Sequence, residues 1–100
     1  MDVINAIAKI RFSSAKAQRV HLHHGGGLAC DLLCLEPGQE FSSTGQCSYY
    51  LIAGAGVIKA GKTIKGVNMG NFATCEEDES HTLVNSSEQR LICMVISPHH

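Results

Sequence analysis

One hundred residues, 44% apolar and 17% charged, suit one soluble globular domain, large enough to bury roughly two-thirds of its unfolded surface, and argue against disorder. The formal net charge is −1, and the eight Lys and Arg residues are scattered from Lys9 to Arg90, so no basic face points to nucleic acid. The longest apolar runs reach five or six residues, far short of the ~20 that span a membrane.

The opening twelve residues, MDVINAIAKIRF, carry an acid at position 2 and neither an apolar signal core nor a small-residue cleavage site. A cytoplasmic location is the expectation. Residues 3–10 place apolar side chains at 3, 4, 7 and 10, which suits a short helix or a strand pairing with a neighbour. Residues 19–23 alternate as a strand, with His21 and His23 on one face and His24 on the other. Two same-face histidines are able to bind zinc or copper. Because the cluster ends at the Gly25-Gly26-Gly27 turn, an exposed polar edge is the expectation there.

Residues 28–35 form a short apolar strand closed by Glu36-Pro37-Gly38, where Pro fixes φ and Gly permits φ > 0. Residues 48–52 and 56–59 follow, divided by Gly54-Ala55-Gly56. Residues 63–68, 71–75, 81–84 and 90–97 complete the strands, broken by Gly61-Lys62, Gly70, the acidic run 76–79 and Asn85-Ser86-Ser87. Short strands at regular spacing predict an all-β sandwich or barrel. No repeat or linker divides the chain, so residues 1–100 are expected to form one domain.

Cys30, Cys34, Cys47, Cys75 and Cys93 are odd in number and contain no CxxC pair, which predicts reduced thiols. All but Cys47 sit in apolar runs, where cysteine serves as a small hydrophobe.

From about residue 20 to 98 the chain resembles a minimal single-domain cupin. The residues that carry the resemblance are Leu35-Glu36-Pro37-Gly38-Gln39, the run YYLIAGAG from Tyr49 to Gly56, Gly70 through His81 to Asn85, and a closing strand RLICMVISP. The resemblance implies a small jelly-roll β-barrel, a double-stranded β-helix. It also implies that His81 points into the barrel, where the family uses it as one of four metal ligands. The family's other three ligands, two histidines and a glutamate, have no counterpart. Counting back from Gly54 sets Phe41, Ser43 and Cys47 there; counting forward from Gly38 sets Thr44 and Gln46 at the histidine positions. Glu76 and Asp78 stand where the family has proline and glycine. The metal motif is therefore degenerate, and the family's usual site is not expected.

Strand alternation anchored on Cys47 and His81 predicts a small-molecule pocket lined by Phe41, Ser43, Cys47, Tyr49, Leu51, His81 and Leu83. The first functional expectation is a metal-independent binding module, regulatory or sensory, with no cofactor. The alternative is a small isomerase, epimerase or oxygenase using His81 as base and Tyr49 as acid, with or without a divalent transition metal at a non-standard site on His81 and Cys47. A third is a barrel serving only structure or partner binding. A homodimer is expected, residues 1–19 pairing with the partner subunit as a strand or short helix. The terminal His99-His100 is assigned no role.

Overall fold

The chain folds as two antiparallel sheets laid face to face, in a computed structural model that describes Met1–His99; His100 lies outside the described residues. Nine strands follow in order among them: β1 Gln18–Gly25, β2 Leu28–Leu35, β3 Glu40–Thr44, β4 Cys47–Ala53, β5 Ala55–Ala60, β6 Thr63–Asn68, β7 Phe72–Cys75, β8 Ser80–Val84 and β9 Leu91–Pro98. The larger sheet has the order β1-β2-β9-β4-β7 and the smaller β3-β8-β5-β6. This is the all-β double-stranded β-helix expected from the sequence.

Eight of these strands fall where residue alternation and turn residues set them. The exception is β3, whose sequence EFSST has one large apolar side chain and too weak a pattern to announce a strand. It forms because β8 supplies a complete ladder, from Glu40 opposite Val84 to Thr44 opposite Ser80. Tertiary pairing outweighs its weak intrinsic preference. Before β1, residues 7–9 make one 3₁₀ turn, Ile7–Lys9, and no strand is formed by residues 1–17.

Leu33, Leu35, Tyr49, Leu51, Leu83, Leu91, Cys93 and Val95 fill the space between the sheets, each at most 1% exposed. They alternate along their strands, as a two-residue period requires. Two glycines make the chain's passage between sheets possible. β4 lies in the larger sheet and β5 in the smaller, so the link at Gly54 is a change of sheet rather than a hairpin. Gly54 has φ +87°, and a Cβ there would lie 2.4 Å from the Arg90 carbonyl oxygen. At Gly56 a Cβ would lie 2.3 Å from the Val84 carbonyl oxygen.

Asn85 ties the loops together at the same end of the sheets. Its side chain is fully buried; Nδ2 donates to the Leu35 carbonyl at 3.0 Å and the Gln89 carbonyl at 2.7 Å, while Oδ1 accepts from Ser87. Its backbone also pairs with Gly38 and Gln39, joining the Pro37-Gly38 turn to the β8–β9 loop. The scaffold reading of these residues holds.

Candidate functional site

The seven residues expected to line a pocket do come together between the sheets. Ser43 stands opposite His81 and Phe41 opposite Leu83 in the β3–β8 ladder. Tyr49 reaches across from the larger sheet, its hydroxyl 2.5 Å from His81 Nε2. His81 Nδ1 lies 3.3 Å from the Glu79 carbonyl, so Nδ1–H donates there and Nε2 accepts from tyrosine. Cys47 sits 4.0 Å from Ser43 Oγ and opposite Cys75.

This arrangement is closed. Cys47, Tyr49, Leu51, His81 and Leu83 are buried, and Phe41 and Ser43 are half-buried. Both imidazole nitrogens are hydrogen-bonded, and among the described residues His81 has no two further His, Cys, Asp or Glu side chains close enough to share a metal with it. Burial, with Cys47 and Cys75 beside it, pushes the Tyr49 hydroxyl's pKa well above its ordinary 10.0. Burial likewise raises Cys93 to about 12, and burial with Glu79 raises Cys75. The thiols other than Cys30 are buried, and all five are free. The family's metal position therefore does not fit a metal in this chain.

A different group does have the donor set of a metal site. Among the described residues, the one group of three His, Cys, Asp or Glu side chains with ligand atoms all within 4.8 Å of one another is His21, His24 and Asp31. Asp31 is fully buried, an expensive place for a carboxylate unless donors surround it. Three do. Arg19 Nε donates to Oδ2 at 2.7 Å, and His21 Nδ1 and His24 Nε2 both reach Oδ1 at 2.8 Å. Burial alone would raise the Asp31 pKa, but the hydrogen bonds from His21, Arg19 and His24 and the Arg19 charge outweigh it and hold the carboxyl below 3.8.

A β-bulge builds this cluster and corrects the expected histidine faces. His23 pairs with Cys30 but His21 with Asp31, so Leu22 is an extra residue on β1. Past the bulge, His24 stands opposite Ala29, on the same side of β2 as Asp31. His21 and His24 thus share a face, and His23 is the one turned away. The two rings meet edge to face, centroids 4.1 Å apart. The histidines do stand exposed on an edge strand, as expected, and His21 keeps 64% of its side chain in solvent; what the expectation lacked is the buried acid beneath, around which two of them are ordered.

The open spaces lie elsewhere. A cavity of about 480 Å³ opens between the edges of β6 and β7, bordered by Ile58, Lys65, Val67, Cys75 and Glu79 among others. None of the seven expected pocket residues borders it. A shallower depression of about 400 Å³ touches Ser43 and His81, with Lys59 at its side. Each space carries a lysine, which the sequence pattern did not anticipate. The cavity and the His/Asp cluster sit at opposite edges of the larger sheet, four strand spacings or roughly 19 Å apart.

Two antiparallel sheets joined in this order form a single barrel of the cupin fold, with a His/Asp cluster at one edge whose donor set could hold a metal ion. The chain superposes on the protein TT1209 from Thermus thermophilus with a TM-score of 0.91 at 20% identity, over 100% of both chains. A conserved protein with a double-stranded β-helix domain from Klebsiella pneumoniae gives 0.86 at 16% identity, covering 100% of this chain and 98% of that one. A cupin superfamily protein from Desulfitobacterium hafniense gives 0.83 at 12% identity, over 100% and 94%. At these identities the likeness is one of fold. No protein-family model matches the chain, and neither does any curated protein. No helix among the described residues is long and apolar enough to cross a membrane.

Proposed function

We infer that the protein is a small cupin-fold enzyme, of the isomerase, epimerase or oxygenase type, that works on a small molecule with a bound metal ion. This replaces the metal-independent module as the leading reading. The observation that carries it is the His21/His24/Asp31 cluster, whose ligand atoms lie within 4.8 Å of one another beside solvent. Two imidazoles and a carboxylate leave coordination positions open, and a metal there would supply Lewis acidity to a substrate oxygen. The chain's own residues would hold that ion and orient it; Arg19 would fix the carboxylate. The Tyr49–His81 pair is too enclosed to lead the chemistry and serves the interior.

The test is to screen hydroxy acids, keto acids and free sugars for turnover by the chelator-treated protein and by the same protein resupplied with Zn²⁺, Fe²⁺ or Mn²⁺. Turnover of some member only with metal is the expected result. Equal behaviour with and without metal would refute it.

A second reading keeps the metal-independent module, and the 480 Å³ cavity favours it, since its size suits a small ligand. Ligand-induced shifts at Val67 and Cys75 in chelator-treated protein, without turnover, would support that reading. The homodimer also stands as a proposal, supported by the exposed apolar side chains of Val3, Ile4 and Ile7. Light scattering decides it.

A further inference from the structure

We propose that His21, His24 and Asp31 form a one-ion site for a late first-row divalent metal of the zinc class, displaced from the family's position onto the β1–β2 hairpin. This rests on the metal-dependent reading above and specifies its ion, its ligand atoms and the device that assembles it.

The donor set selects the ion. Imidazole nitrogen favours zinc, nickel, copper and ferrous iron, whereas magnesium and calcium prefer an all-oxygen shell. Two histidines and one aspartate give a first shell like those of catalytic metal sites, with at least one position left for water or substrate. No thiol belongs to it.

The geometry needs little change. His21 Nδ1 and His24 Nε2 each lie 2.8 Å from the same oxygen, Asp31 Oδ1. An ion about 2.0–2.2 Å from each ligand atom separates tetrahedral ligands by about 3.4 Å, so the rings withdraw by roughly half an ångström. Without metal, each of these nitrogens carries the hydrogen it donates to Asp31. Binding moves that hydrogen to the other ring nitrogen, Nε2 of His21 and Nδ1 of His24, and frees the lone pairs. Each imidazole keeps one proton, so no change of charge is required. Arg19 stays on Oδ2 at 2.7 Å and leaves Asp31 to bind through Oδ1 alone, as an outer partner that orients a ligand.

The bulge at Leu22 makes the site possible. With unbroken pairing from Gly25 opposite Leu28, Leu22 would face Asp31 and the two histidines would lie on opposite faces. Bulges commonly re-aim a side chain in this way.

The experiment is a titration of Zn²⁺ into the chelator-treated full chain by calorimetry, with metal content measured after gel filtration. Parallel titrations use His21→Ala, His24→Ala, Asp31→Asn, Cys47→Ser and the double variant His99→Ala/His100→Ala. One zinc per chain is expected. Loss of an outer partner costs about 10–100-fold in affinity, so each of the three ligand variants is expected to lose at least that. Cys47→Ser and the C-terminal double variant are expected to bind as the parent does. His21 is mostly exposed, so its alanine variant folds even if Asp31→Asn is weakened. Co²⁺ in place of zinc is expected to give no thiolate charge-transfer absorption.

Undiminished binding in His21→Ala and His24→Ala, with loss confined to the C-terminal double variant or to Cys47→Ser, or a thiolate band, would overturn the site. The His99 ring lies 4.9 Å from that of His24, so a partial loss in the double variant counts against the site only where the triad variants bind as the parent does. One zinc lost with the triad but no turnover of any substrate would uphold the site and refute the enzyme reading. Metal-dependent turnover that survives His21→Ala would do the reverse.

Discussion

Replacing Asp31 by asparagine isolates the charge of a fully buried carboxylate while keeping its shape. The amide retains one acceptor for His21 and His24 but turns an NH₂ group toward Arg19 Nε, which now donates to Oδ2 at 2.7 Å. Breaking a buried ion pair costs about 3–5 kcal/mol, and an exposed pair is worth about 0–1 kcal/mol. Here one partner is fully buried and the other keeps 39% of its side chain in solvent, so Arg19 can turn outward and recover hydration. The expected loss is about 2 kcal/mol, a large share of the 5–15 kcal/mol typical of a domain. For a chain of this length that lowers Tm by about 8–16 °C. Urea unfolding of chelator-treated protein at neutral pH, with far-UV circular dichroism, measures it. The acid side gives a second check. The Asp31 carboxyl titrates below its ordinary 3.8, so its contribution is present above that pH and lost as pH falls through the lower folded value. Asp31→Asn is expected to flatten that acid slope. A variant as stable as the parent, with the same acid profile, would refute the buried-hub reasoning.

Three further outcomes follow from the same structure. Gly56→Ala sets a Cβ 2.3 Å from the Val84 carbonyl oxygen, in backbone that has no free space to yield, and is expected to cost about 3 kcal/mol or more by thermal melt. Gly61→Ala, with nothing within 4 Å but φ +60°, is expected to cost about 1 kcal/mol, so equal losses would discount the contact. Tyr49→Phe leaves His81 Nε2 buried without its donor and is expected to cost about 1–3 kcal/mol in urea unfolding, with zinc binding unchanged. Alkali is expected to destabilise the fold: burial raises the Cys93 thiol from 9.0 to about 12, so its contribution is complete below pH 9 and lost as pH rises toward 12. Cys93→Ala is expected to reduce that alkaline slope.

The barrel was legible because its signals are local. Pro37-Gly38, Gly54 and Asn85 occupy turns and links whose residue types state their own purpose, β4 and β9 alternate around a shared core, and β2 is a near-continuous apolar run. Part of the inner group was legible too: alternation from Cys47 along β4 turns Tyr49 and Leu51 inward and from His81 along β8 turns Leu83 inward, whereas Ser43 reaches His81 through the β3–β8 pairing. What alternation does not carry is how much space is left, and side-chain packing fills that interior while the cavity opens at the β6 and β7 edges. The His21/His24/Asp31 cluster depends on a bulge, which residue spacing alone does not reveal. One signal did stand in the chain: Asp31 is the lone charge in the apolar run LACDLLCL, and a carboxylate in such a strand requires donors. The three-glycine turn folds β1 back over it, so the donors had to come from residues 19–24.

If this barrel holds its metal at the β1–β2 hairpin rather than in the interior, anomalous diffraction from zinc-loaded crystals at the zinc absorption edge will locate it there. One peak per chain is expected, within about 2.0–2.2 Å of His21 Nδ1, His24 Nε2 and Asp31 Oδ1. A peak against Cys47, Cys75 or His81, or no peak at the hairpin, would overturn the displaced site.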